Sequence, residues 1–108
     1  MLIIKNNRIY ITRGDTATLQ LGLETINNSK ASIEDGDTIV MTVKKLASDT
    51  EPLIQLTADE SGQFAIGPED TKQLNAGVYM YDVQLTRDGN IYTVIPQNYF
   101  EIKEEVTQ

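Results

Sequence analysis

Between Gly77 and Ile102 the chain reads GVYMYDVQLTRDGNIYTVIPQNYFEI, two alternating runs on either side of Asp88-Gly89-Asn90. Alternation at period two belongs to a strand with one face on a core and the other in water. Asp-Gly between two such runs is among the strongest short-range signals for a tight hairpin, because glycine at this turn takes positive φ without steric cost. In the first run Tyr79, Tyr81, Val83 and Leu85 fall inward, and Met80, Asp82, Gln84 and Thr86 fall outward. The return carries Tyr92, Val94, Phe100 and Ile102 inward, which leaves Ile91, Ile95 and Tyr99 on the outer side. Pro96 lacks the N–H a ladder needs and Asn98 is polar at an inward position, so a bulge or bend, and an edge or open hydrogen-bonding side, are expected there.

A hairpin of this length needs other strands beside and across from it, and the rest of the chain supplies them. Leu2 to Ile4 is a short strand or a loose end broken by Asn6-Asn7; Arg8 to Thr12 follows with Ile9 and Ile11 on one side, and Arg13-Gly14-Asp15 makes a kink. Asp15 is expected to cap that kink through the backbone two residues on. Ala17, Leu19, Leu21 and Leu23 alternate with polar residues and Gly22; Asn27 to Asp37 is a long polar loop; Ile39, Met41 and Val43 mark a third strong strand over Thr38 to Lys45, with Lys44 outward. After a polar linker, Ala47 to Pro52, the spacing predicts a smaller hairpin from Leu53–Thr57 and Gln63–Ile66 across Asp59-Glu60-Ser61-Gly62, with Leu56, Phe64 and Ile66 core-facing. Pro68-Glu69-Asp70-Thr71 opens one helical turn, pinned by Leu74, since proline suits the first helical position and acids favour the positive end of the helix dipole. About seven strands with one helical turn predict an all-β, antiparallel sandwich: a single domain over residues 1–103 and a charged tail or linker stub over 104–108.

At 108 residues the chain suffices for one domain that buries roughly two-thirds of its unfolded surface. It has no cysteine and no histidine, which excludes disulfides, thiolate or imidazole metal sites and Ser-His or Cys-His nucleophilic catalysis. The net charge is −7, and a surface of that sign repels a phosphate backbone, so nucleic acid is not an expected partner. The opening MLIIKNN is too short for a secretory signal and no run approaches the ~20 apolar residues of a membrane span, so synthesis in the cytoplasm and no membrane association are expected.

Several motifs invite a functional reading and have a plainer one. Arg13-Gly14-Asp15 spells an adhesion tripeptide but suits a strand-to-strand turn. Glu34-Asp35-Gly36-Asp37 clusters carboxylates without the alternating ligands and terminal glutamate of a calcium loop, so a solvated turn is the reading taken, as it is for Asp59-Glu60 and Glu69-Asp70. Asn27-Asn28-Ser29 fits a glycosylation acceptor that matters only on export. Tyrosines suggest sugar stacking, yet Tyr79 and Tyr81 lie in the core register. Paired acids for glycoside hydrolysis would need a cleft that a small sandwich rarely builds. No catalytic, cofactor-binding or metal-ligating residue is assigned. The structural positions are Gly14, Gly77, Tyr79, Tyr81 and Gly89, and the outward Met80, Ile91, Ile95 and Tyr99, beside Tyr10, are the candidate protein interface.

The run Leu74 to Tyr81 resembles the approach to strand F of immunoglobulin-like domains, with Tyr79 in the place of the corner tyrosine and Tyr81 in that of the cysteine. Across nearly the whole chain, Arg13-Gly14-Asp15-Thr16, TIVMTVKK (Thr38 to Lys45), Pro68 to Leu85 and Phe100-Glu101-Ile102 resemble the N-terminal domain of phage baseplate upper proteins and related prophage tail proteins. That resemblance implies an anchoring β-sandwich, no enzymatic activity and no cofactor. It further implies tail or baseplate proteins, or copies of itself, as partners, and passage from the host cytoplasm into the virion. The alternative from the residues is a small module binding a glycan or calcium.

Overall fold

The structure, a computed structural model, describes residues 1–21 and 33–106. The expected outward Gly22, Leu23, the Asn27-Asn28-Ser29 acceptor pattern and much of the long loop lie outside the described residues. Among the described residues, eight strands and one helical turn follow in the order β1 (Leu2–Lys5), β2 (Arg8–Thr12), β3 (Ala17–Gln20), β4 (Thr38–Lys44), β5 (Ile54–Thr57), β6 (Gln63–Ile66), α1 (Pro68–Lys72), β7 (Gly77–Arg87) and β8 (Asn90–Lys103). They form a six-stranded sheet in the order β1-β2-β8-β7-β4-β5 and a two-stranded sheet, β3-β6. The protein is an all-β sandwich.

The β7–β8 hairpin sits in the middle of the large sheet. Arg87 pairs with Asn90 across a two-residue loop in which Asp88 and Gly89 have φ of 52° and 78°, the mirror-image turn whose twist matches that of the flanking strands. The β1–β2 loop uses the same device, with Asn6 and Asn7 at 51° and 63°. From β8 outward the sheet is completed in two ways. β4 pairs antiparallel with β7, and β2 pairs parallel with β8 over Phe100–Lys103 only. Among the described residues no strand pairs with the earlier part of β8 on that side, so the expected open side near Pro96 is present.

The bulge is present too, and it is double. Tyr81 pairs with Asn98, Val83 with Ile95 and Gln84 with Thr93, so Pro96-Gln97 together oppose Asp82, and Val94 is a second extra residue. Each bulge reverses the alternation of β8. Phe100 and Ile102 point inward on one side of the pair; on the other, Tyr92 lies opposite the buried Leu85 yet stays 42% exposed, and between the bulges Ile95 lies opposite Val83, with Ile95 and the expected Val94 both packed against the core. Asn98, inward as expected, satisfies its amide by donating to the Asn6 carbonyl at 3.1 Å and accepting from the Tyr99 N–H at 2.8 Å.

The predicted smaller hairpin is not one. β5 pairs with β4 and β6 pairs with β3, so the chain crosses from one sheet to the other through the turn. That turn is well formed: the Asp59 carboxylate accepts from Gln63 N–H, Ser61 Oγ and Ser61 N–H, and those bonds, Gln63 first, hold it below the usual carboxylate range. Beyond the turn, Phe64 lies opposite Leu19 in the second sheet, and Ile54, opposite Val43, is buried in the first while Leu53 is exposed. A local turn signal specifies a reversal but not which sheet receives the next strand.

The core joins Ile9, Ile11, Leu19, Ile39, Met41, Val43, Phe64, Ile66, Val83, Phe100 and Ile102 between the sheets, with Leu56 and Leu74 packed at its margin. Tyr79 and Tyr81 belong to it and discharge their hydroxyls to backbone: Tyr79 donates to the Asn75 carbonyl at 2.7 Å and Tyr81 to that of Asn7. Gly77, at φ 152°, begins β7 in a conformation that only glycine adopts freely. Gly14 donates its N–H to the buried Thr71 hydroxyl at 2.8 Å, which locks the Arg13-Gly14-Asp15 kink against α1. Arg13 also holds Glu105 at 2.7 Å, so the segment after β8 is tied back to the body. Asp15 does not cap its own turn; its carboxylate accepts from the Met1 amino group.

Burial pushes the Tyr81 phenol up to about 12 from its ordinary value of 10.0. The fold favours the neutral phenol, so this contribution is intact below pH ~10 and is lost as the pH climbs toward about 12. Tyr81→Phe should forfeit one hydrogen bond, about 1 kcal/mol at neutral pH, yet lose less stability than wild type between pH 10 and 12. Urea unfolding across that range is the check, and equal alkaline losses would refute the assignment.

Candidate interaction surface

With one face of the large sheet on the core, the other is built by the alternate residues of the same strands. Register places Ile3 beside Tyr10, Lys5 beside Arg8, Tyr10 beside Glu101, Thr12 beside Lys103, Val78 beside Glu101, Met80 beside Tyr99 and Lys44 beside Met80. Parallel pairing of β2 with β8 then brings Arg8 next to Tyr99, with its guanidinium 4.9 Å from the Tyr99 ring centre and 5.1 Å from that of Tyr10. Lys103 lies 5.8 Å from the Tyr10 ring. A cation over an aromatic face is held by the ring quadrupole, so these side chains form a stack with little freedom.

Glu101 fastens the stack from below. It accepts from Arg8 at 2.9 Å and lies 3.1 Å from Lys103, and those two cations, Arg8 first, hold its carboxyl below the usual range. The Arg8 Nε–H is shielded and has no acceptor among the described residues, consistent with a guanidinium caught between two rings. Beside the stack the outer face also presents apolar side chains, with Ile3 50% and Val78 40% exposed and Met80 half-buried. Beside it a shallow depression of about 400 Å³, walled by Thr42, Lys44, Gln55, Asp82, Gln84 and Gln97, lies over Met80. Gln97, one of the two bulge residues opposite Asp82, lines that depression and donates its amide to the Met80 sulfur at 2.9 Å.

The structure divides the four candidate interface residues. Met80 and Tyr99 are cross-strand neighbours on the outer face. Ile91 shares that face and is 66% exposed, but it sits by the turn opposite Thr86, six residues along β7 from Met80, or roughly 20 Å. Ile95 is not outward: the first bulge turns it toward Val83, where it is half-buried and packed against the core. Simple alternation places Lys44 outward but does not bring it, or Lys5, Arg8 and Lys103, into the candidate interface. The Arg8-x-Tyr10 spacing was available as a signal, but the parallel partner that completes the stack is 91 residues away from Arg8 at Tyr99.

The acidic motifs resolve into turns. Asp37 receives both Arg87 Nε at 2.9 Å and Nη2 at 2.6 Å, and the Glu34 N–H at 2.8 Å. Those bonds, Arg87 first, bring its carboxyl down to about 2. Its side chain is 1% exposed, so the pair clamps the end of β7 to the start of β4. Among the described residues no three acids converge as metal ligands, and no helix is long and apolar enough to cross a membrane. A scan against protein-family models found no match, and a search of curated proteins found none.

Ile95→Asp should cost about 2 kcal/mol or more, since it carries a carboxylate toward the core, whereas Tyr99→Ala should stay within about 1 kcal/mol of wild type. Thermal or urea unfolding separates them; equal midpoints would contradict the inward placement of Ile95.

Proposed function

We propose that the protein is a non-enzymatic structural module of a phage or prophage tail or baseplate, acting through protein–protein contacts made by the outer face of its large sheet. The observation that carries the contact surface is the Tyr10–Arg8–Tyr99 stack, flanked by Ile3, Val78 and Met80. Tyrosine and arginine anchors among apolar neighbours are the residue types that dominate interface energetics, and a stack already fixed by Glu101 loses little freedom on binding. The tail context rests on the sequence resemblance. An Ig-like reading is supported by the pairing of β4, β7 and β8 in one sheet and β3 with β6 in the other, by analogy with strands C, F, G and B, E, and by the Tyr79 corner bond.

The ligand-binding alternative is weaker on specific grounds. A sugar platform needs free ring faces, and Arg8 lies over both Tyr10 and Tyr99. The calcium reading needs available carboxylates, and Asp37 is engaged by Arg87 while Asp59 closes its own turn.

Arg8→Ala combined with Tyr99→Ala should lower recovery of the protein in assembled tail particles by roughly tenfold while leaving the soluble pool folded. Fractionating particles from cells that express the variant measures this. Undiminished incorporation, or wild-type protein absent from particles, would refute the proposal.

A further inference from the structure

The outer face carries a charge opposite in sign to the molecule as a whole. Lys5, Arg8, Lys44 and Lys103 are four of the chain's nine basic residues, while Asp82 and Glu101 are the two of its sixteen acids that the described strands place there. Glu101 is shared between Arg8 and Lys103. The net charge of −7 is therefore concentrated elsewhere.

These cations are also ordered. Strand by strand across β1, β2, β8, β7 and β4, one row reads Lys5, Arg8, Tyr99, Met80, Lys44. Four interstrand steps of about 4.8 Å put the two lysines about 19 Å apart, with an aromatic and a thioether side chain between them.

We infer that this row docks an acidic protein segment, one with carboxylates at both ends and a short apolar centre. The inference rests on reading the outer face as an interaction surface and adds the chemistry of its partner. The end lysines meet the carboxylates, and Tyr99 and Met80 meet the apolar centre. Charge pairs at the two ends set the register of the segment, and the apolar middle supplies burial. A nucleic acid does not fit, because an extended polyanion would run beyond the row onto the acidic remainder of the surface. A short segment confined to the row avoids that repulsion.

The test uses the isotope-labelled full chain and a synthetic seven-residue peptide of two acids, three aliphatic residues and two acids, which spans roughly 23 Å when extended. Amide shifts should change at Lys5, Arg8, Lys44, Met80 and Tyr99, and binding should weaken as salt rises. Lys5→Glu with Lys44→Glu, both outside the core, should keep the free spectrum and weaken binding about tenfold. Equal binding by a peptide with bases in place of the acids, or by one with serines in place of the aliphatic residues, would overturn the inference. So would tighter binding of a heparin fragment at the row, which points to a polyanion, or concentration-dependent shifts there without peptide, which point to a second copy of the chain. If the peptide leaves the row untouched while Arg8→Ala with Tyr99→Ala still drops out of particles, the partner chemistry fails and the interaction surface stands; if neither has an effect, both fail.

Discussion

The register between β7 and β8 sets two surfaces at once. Because side chains alternate across a strand, the pairing that buries Tyr79, Tyr81, Val83 and Leu85 also delivers Val78, Met80 and Asp82 to the opposite face. A slip of one residue would exchange them. The tight Asp88-Gly89 loop fixes the register at one end, and the Tyr79–Phe100 pair, both buried, fixes it at the other. The two settings differ by two residues, and the bulges at Pro96-Gln97 and Val94 absorb that difference. Since two bulges restore the phase, Phe100 and Tyr99 point as they would on an uninterrupted strand, and the reversed phase is confined to Ile95 and its immediate neighbours.

That hairpin organises the rest through its edges. β4 reads its inner register from β7, and Arg87 at the end of β7 holds Asp37 at the start of β4, so the pair is aligned by a charged fork as well as by the ladder. β2 joins β8 only past Tyr99, and that short parallel contact is what assembles Arg8, Tyr10, Tyr99, Glu101 and Lys103 on one patch. The same geometry that completes the sheet thus creates the feature on which the functional reading rests.

Local signals made much of this legible in the sequence. Period-two alternation identified the inward residues of β2, β4 and β7, Asp-Gly identified the turn, and Pro96 identified the bulge, because each is decided within a few residues. What was not legible depended on distant partners. Pro96 signals a bulge or bend but not that there are two bulges or what they do to phase, and so simple alternation puts Ile95 on the wrong face. The assignment of β5 and β6 to different sheets depends on β3 and β4, which no turn motif encodes. The Arg8 stack depends on a parallel pairing between the two ends of the chain, for which sequence pattern offers no register. The Met80–Tyr99 pair was within reach because both residues belong to one hairpin.

Cross-strand nuclear Overhauser contacts along β7 and β8 test the central claim most directly. The account predicts contacts of Tyr79 with Phe100, Val83 with Ile95 and Leu85 with Tyr92, together with Met80 against Tyr99 on the outer face. Contacts of Val83 with Pro96 and Leu85 with Val94, the continuous register that runs on from Tyr81 and Asn98, would contradict it.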